Sequence, residues 1–316
     1  MNVDVYYVPI RIRALRFASV YVLKTGRHSY LVDSGMDNSA LTFLEQNGVD
    51  FSEIDAVILT HMHIDHIGGS KSIQDKYGIP VFIDERDREK VISIQNDIPG
   101  FMRSSKIFLS EMGVPTETTE TMGDNHPLAT ELKNYEHVDL ENFSKMPNSL
   151  NDLDFFHVPG HSPGSTCFLP KNSDIIFTGD HILEKITPNI SYYDSSEDML
   201  GEYLESLRMT KVLQKNTAFP GHGSPFTGIE ERIEAIIKHH ENRINEISEI
   251  IGPDQLSAYN VAKLMKWSKG RTMESMNIME QNFAVGEAIA HLRYMENQGF
   301  VKSNLRNGIR LYSNAI

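Results

Sequence analysis

From Ile54 to Thr60 the chain reads IDAVILT, and it runs straight into HMHIDHIGG. A short, nearly continuous apolar run rich in β-branched residues predicts a strand buried on both faces. That strand delivers His61, His63, Asp65 and His66 at its end. On one helix these four positions would be spread around the cylinder, so the spacing predicts a loop in which they converge. The chain must therefore fold so that a buried strand opens onto a cluster of polar donors, and function usually sits on such loops. Imidazole and carboxylate donors suit zinc, iron or manganese. A catalytic ion normally keeps one position open for water, so four donors in one loop exceed the needs of one ion, and two metals are implied.

Further donors follow, each at the end of a strand-like run and beside glycine: His161 in HVPGHSPGST, Asp180 in IIFTGD and His222 in AFPGHG. Glycine lets the backbone turn sharply at such points. The T-H-x-H-x-D-H motif with the later His, Asp and His, in this order, resembles the metallo-β-lactamase superfamily of binuclear metallohydrolases over roughly residues 1 to 230. The resemblance implies an α+β fold, an αββα sandwich with the metals at one edge. It implies His61, His63 and His161 on one ion, Asp65, His66 and His222 on the other, and Asp180 bridging the two. Asp33 in LVDSG matches the family's early Asp, which supports the ligand loop without binding metal. His181, beside the bridging position, is expected to support the ligands or face substrate, and Tyr192 and Tyr193 to line the substrate pocket.

At 316 residues the chain is longer than one typical domain. Three regions are expected: a catalytic domain at 1–228 with a helical insertion at about 85–149, a connecting helix at 229–251, and a winged-helix-like domain at 252–316. The insertion is polar and divided by Pro99, Pro115, Pro127 and Pro147, and it is expected to form a helical lid. In IEERIEAIIKHHENRINEISEII the isoleucines recur at helical spacing with a polar opposite face, and Gly252-Pro253 stops the helix. DQLSAYNVAKLMKW and AVGEAIAHLRYMENQGF then predict two helices, and Asn307-Gly308 between alternating residues predicts a hairpin. This tail resembles the winged-helix module of the lactamase-β-like subgroup, some members of which are ribonucleases.

Composition narrows the functional classes. Net charge is −13, which argues against wholesale attraction to phosphate backbones. Residues 252–316 carry eight Lys/Arg against five Asp/Glu, so the tail is +3 and the rest −16. The N-terminal stretch is broken by Asp4, Arg11, Arg13 and Arg16 and lacks the apolar core of a secretory signal. With a single cysteine, Cys167, a cytoplasmic location is expected. No run is apolar enough for a membrane helix, so no membrane partner is expected. His63 stands where flavodiiron oxygen reductases carry Glu, and only 41 residues separate Asp180 from His222, too few for a β-CASP insertion. The tail does not resemble the glutathione-binding helices of glyoxalase II.

The expected activity is hydrolysis of a small-molecule ester, thioester or lactone by a hydroxide shared between two divalent ions, zinc by default, with Asp65 orienting the nucleophile and carrying its proton. The rival is endoribonuclease or phosphodiesterase activity, with Lys302, Arg306 and Arg310 of the hairpin touching phosphate. A homodimer through the long helix and tail is a further expectation.

Overall fold

The computed structural model describes residues 1–10, 16–124, 138–150, 152–192 and 197–315. Among these, strands β1 (Asn2–Pro9), β2 (Phe17–Lys24), β3 (Ser29–Val32), β4 (Ala56–Ile58), β5 (Val81–Ile83) and β6 (Leu140–Asn142) form one sheet in that order. Strands β7 (Leu153–His157), β8 (Thr166–Pro170), β9 (Ile175–Gly179), β10 (Thr217–Pro220) and β11 (Phe226–Thr227) form a second, ordered β11-β10-β9-β8-β7. Pairing is parallel from β3 through β6 and between β9 and β10, and antiparallel elsewhere in these two sheets.

The central strands are apolar because both their faces are covered, whereas β1 at the sheet edge stays half-exposed. In β2, Ala18 through Leu23 are all buried, as is every residue of β4. Tyr21, Tyr30 and Phe82 of the first sheet share one core with Phe168 and Phe177 of the second. Tyr21 meets Phe177 edge to face, with centroids 5.3 Å apart, a favourable aromatic arrangement. The two sheets thus face each other. Cys167 is fully buried in β8, where burial pushes its thiol up and leaves it a small hydrophobe.

Two compact units divide the chain. The first comprises Met1–Asn96, Glu131–Pro188 and Glu205–Ile233 and contains both sheets. The second comprises Asp97–Thr130, Asn189–Leu204 and Glu234–Ile316, built on a core that includes Leu109, Met112, Ile247, Trp267, Leu292 and Tyr312.

Several elements fall where spacing predicts them. Helix Ile229–Ile251 buries Ile233, Ile236, Ile247 and Ile251 along one stripe. Strands β12 (Val301–Arg306) and β13 (Ile309–Asn314) pair antiparallel across Asn307 and Gly308, whose φ values of 52° and 78° suit a primed two-residue turn.

Others differ. Helix Ala258–Leu264 is shorter than predicted because Met265 leaves helical backbone at ψ 148°. Helix Ile278–Asn297 begins upstream of Ala284, where Asn277 and Glu280 cap each other's backbone N–H reciprocally. In the polar stretch, helices Glu85–Asn96, Ile98–Glu111 and Thr116–Asp124 form, but Leu140–Asn142 is a strand, too short to carry a periodic signal. Residues 125–137 of that stretch lie outside the described residues. Phe143 stacks on Phe155 beside the first core, and Phe108 and Met112 belong to the second. Among the described residues no helix is long and apolar enough to cross a membrane.

The second unit holds a buried histidine pair. His291 Nδ1–H donates to the Glu287 carbonyl at 2.7 Å, so its Nε2 accepts from His240 Nδ1–H at 3.0 Å. Burial pushes both imidazoles below 6.5, with the pair, His239 and Arg243 opposing a further proton on His240 and Glu287 favouring one. The unfolded chain takes up protons below 6.5 that the folded pair refuses, so this contribution to stability falls as pH drops below 6.5. A His240→Gln variant keeps an N–H donor and cannot titrate. Denaturant titrations of the full chain from pH 7.5 to 5.0 are expected to show the wild type losing about 1.4 kcal/mol more per pH unit than the variant below 6.5; parallel slopes would contradict this role.

Candidate metal centre

Five strand ends supply the site. Asp33 follows β3, held at φ 61°, a left-handed conformation that Asp tolerates better than most residues. His61, His63, Asp65 and His66 follow β4; His161 follows β7, Asp180 follows β9 and His222 follows β10. The β4 segment is not wholly a loop. Asp65 and His66 sit in a one-turn helix, Ile64–Ile67, and His63 precedes it in extended backbone at ψ 147°. That break lets the first two imidazoles and the following carboxylate and imidazole aim at one centre. A continuous helix would have separated them.

All seven donors predicted from the motif come together. His61, His63 and His161 offer nitrogen atoms within 4.8 Å of one another, as do the donor atoms of His61, His66 and Asp180 and those of Asp65, His66 and His222. Asp180 reaches both sides, with Oδ2 3.6 Å from His161 Nε2 and 3.3 Å from His222 Nε2, and Oδ1 3.6 Å from His66 Nε2. Asp65 Oδ2 lies 3.3 Å from His222 Nε2.

The donor set fits metal ions on three counts. His61 Nε2, His66 Nε2, His222 Nε2 and Asp180 Oδ1 are buried with no hydrogen-bond partner among the described residues, a costly state unless something else binds them. Separations of 3.3 to 3.6 Å among Asp65, His66, His161, Asp180 and His222 match the edge of a tetrahedron of zinc ligands, roughly 3.3 Å, while His63 Nδ1 and His161 Nε2 stand closer, at 2.8 Å. Charge is the third. Against burial, His222 and His66 hold Asp180 well below the usual carboxylate range, and His66 and His222 do the same for Asp65. In return, and again against burial, Asp33, Asp65 and Asp180 lift His66 to about 8, and Asp180 and Asp65 lift His222 well above 6.5. The carboxylates draw positive charge into a space lined by ligand atoms. His61 and His63 behave oppositely: burial and neighbouring imidazoles push His61 well below 6.5 and His63 to about 3, leaving neutral ligands.

A buried hydrogen-bond shell orients the rings. Asp33 Oδ1 accepts from Thr60 N–H at 2.7 Å, and Asp33 Oδ2 accepts from His66 Nδ1–H at 2.8 Å and from the Thr60 hydroxyl at 2.9 Å. Because that hydroxyl donates to Asp33, it accepts from His61 Nδ1–H at 2.9 Å. His222 Nδ1–H donates to the Phe17 carbonyl at 2.9 Å. Each of these bonds leaves Nε2 as the ligand atom. Neither Thr60 nor Phe17 is among the candidate residues above: Thr60 stands directly before the first histidine of the motif, whereas a carbonyl contact such as that of Phe17 has no side-chain signature in the sequence.

His181 is buried, and its Nε2–H donates to Thr210 Oγ1 at 2.9 Å. Burial, then His161, pushes it to about 3. Tyr192 packs on Phe108 beside the core of the second unit, with centroids 4.4 Å apart, and Tyr193 lies outside the described residues.

The family model of the metallo-beta-lactamase superfamily matches residues 13–222. Among curated proteins the chain is similar to the "Probable metallo-hydrolase YqjP" of Bacillus subtilis, at 27% identity over 268 residues that cover 77% of this chain and 79% of that protein. It is also similar to an atrochrysone carboxyl ACP thioesterase of Aspergillus fumigatus, at 23% identity over 75% of this chain and 45% of the fungal protein. Among solved structures, a metallo-beta-lactamase family protein from Thermus thermophilus aligns at TM-score 0.78 and 23% identity over 99% of this chain and 98% of that one. A beta-lactamase domain protein from Burkholderia ambifaria aligns at TM-score 0.82 and 18% identity over 100% and 93%. These structures share the fold.

Gly221 touches the centre without donating to it. A Cβ there would lie 2.4 Å from Asp180 Oδ1 and 2.6 Å from His66 Cε1. Gly221→Ala is expected to displace both and weaken zinc binding by about tenfold or more with secondary structure intact. Equilibrium dialysis and circular dichroism check this, and wild-type affinity in the folded variant would contradict it.

Proposed function

The chain belongs to the metallo-β-lactamase superfamily, and from that premise we propose a binuclear metal-dependent hydrolase acting on a small-molecule ester, thioester or lactone. That the protein is a hydrolase follows from its family and from relatives named metallo-hydrolase and thioesterase. One observation carries the binuclear reading: seven imidazole and carboxylate groups surround a space in which four of their buried polar atoms make no hydrogen bond among the described residues.

Two groups of residues divide the work. His61, His63 and His161 would hold one ion, Asp65, His66 and His222 the other, and Asp180 would be shared. Bound there, a pair of divalent ions supplies a water acidic enough to attack near neutral pH and polarises the scissile carbonyl. Asp65 stays ionised beside His66 and His222, so its carboxylate can orient the attacking water, accept its proton and pass that proton to the departing alkoxide or thiolate. Asp33 and Thr60 keep the His61 and His66 rings aimed while charge moves. This donor set suits zinc, with iron and manganese as alternatives.

Thioesters are favoured within this class by the similarity to a fungal carboxyl ACP thioesterase. Residues 252–316 are proposed as a winged-helix-like module, on the order helix Ala258–Leu264, helix Ile278–Asn297, β12, β13. A nucleic-acid substrate is the second reading, resting on exposed Lys302 and Arg306 of β12. Arg310 is engaged elsewhere, 2.7 Å from Glu111, so the hairpin offers phosphate fewer cations than its sequence suggests. The long helix and the tail remain the proposed surface for a homodimer.

A panel of thioester, ester, lactone, phosphodiester and RNA substrates tests the assignment. Zinc-loaded protein is expected to turn over a member of the first three classes, and His61→Ala or chelation to lower the rate at least about a hundredfold. Full activity in metal-stripped protein would overturn the metal role, and exclusive cleavage of RNA with a steep salt dependence would favour the second reading.

A further inference from the structure

Asp87, in helix Glu85–Asn96, is fully buried yet lies outside every motif that marks the metal centre. Its carboxylate accepts three hydrogen bonds. Oδ2 takes the backbone N–H of Met62 at 2.8 Å and the hydroxyl of Ser162 at 2.6 Å; Oδ1 takes the backbone N–H of Gly164 at 2.6 Å. Met62 lies between His61 and His63, and Ser162 follows His161. One side chain therefore clamps together the two segments that bring His61, His63 and His161 into one group. Gly164 makes room for it: a Cβ there would lie 2.7 Å from both the backbone nitrogen and the Cγ of Asp87.

Asp33 acts on a different set. It bonds Thr60 and His66 and reaches His61 through the Thr60 hydroxyl, so it serves rings of both groups. None of these three bonds involves the segments that carry Asp180 or His222, and the bonded Met62 lies before His63, whereas Asp65 and His66 sit in the helical turn after it, Ile64–Ile67.

We propose that Asp87 is a positioning residue for one of the two ions only, fixing the spacing of His61 and His63 against His161 through its bonds to Met62, Ser162 and Gly164. The inference rests on the binuclear reading above. Asn cannot reproduce the clamp. It has one acceptor oxygen, so its amide group would face either the Gly164 N–H or the pair formed by the Met62 N–H and the Ser162 hydroxyl, opposing donor to donor.

Zinc titrations by equilibrium dialysis test the proposal on full-length wild type, Asp87→Asn, and Asp87→Asn combined with His161→Ala or with His222→Ala. Wild type is expected to bind two ions. Asp87→Asn should keep one at wild-type affinity and bind the other about 10- to 100-fold more weakly. Adding Asp87→Asn to His161→Ala should change little, because that group is already broken, whereas adding it to His222→Ala should weaken the ion that remains. Ser162→Ala, which removes one bond of three, should weaken the same ion more mildly and serves if Asp87→Asn does not fold. Two ions at wild-type affinity in folded Asp87→Asn, or equal weakening of both, would overturn the proposal while leaving the binuclear reading in place. A wild-type chain that takes up fewer than two ions would instead overturn that reading, and this inference with it.

Discussion

Everything at this centre follows from one electrostatic condition: ligand atoms of five imidazoles and two carboxylates crowd into buried space and face one another. Such groups are stable in a dry interior only when charge is neutralised and polar atoms are bound. Protons meet the condition in part, since His66 and His222 are drawn toward the charged form by Asp65 and Asp180. Cations would meet it further, because they could bind the nitrogen atoms that make no hydrogen bond among the described residues. The same condition explains the surrounding hydrogen bonds. Bonds from Nδ1–H of His61, His66 and His222 to Thr60, Asp33 and the Phe17 carbonyl leave each ring one ligand atom and one direction.

Two sheets are suited to hold such a centre. Strands β3 and β4 are short and largely buried, and the last residue of each, Val32 and Ile58, is paired on both sides, while Gly179 at the end of β9 pairs with Pro220 at the end of β10. Groups placed just beyond those ends inherit that precision, whereas a free loop would not impose it. Asp33 and Asp87 extend the same logic: both are buried carboxylates, each accepts three or more hydrogen bonds, and each ties backbone next to a ligand to another part of the first unit.

Much of this was legible in the sequence, for identifiable reasons. IDAVILT announces a buried strand because it has no polar alternation, and the histidines after it have no plausible use on a plain surface turn. The isoleucines of Ile229–Ile251 and the Asn307-Gly308 turn were equally plain, since each is a periodic or local signal. What stayed hidden depends on contacts between distant residues. Strand β6 has three residues and exists through pairing with β5. Asp87 sits in a polar run, ERDREK, where nothing distinguishes a carboxylate that reaches Met62 from one that reaches solvent. The helical turn at Ile64–Ile67 was also hidden, because one continuous helix cannot align all four donors; the chain solves this by breaking direction at His63.

Whether these side chains hold two cations at once is read from anomalous scattering by a zinc-soaked crystal of the protein. Two zinc peaks are expected, about 3.5 to 4 Å apart, one against His61, His63 and His161, the other against Asp65, His66 and His222, with Asp180 between them. A single peak at saturating zinc, or peaks away from these residues, would contradict the binuclear reading.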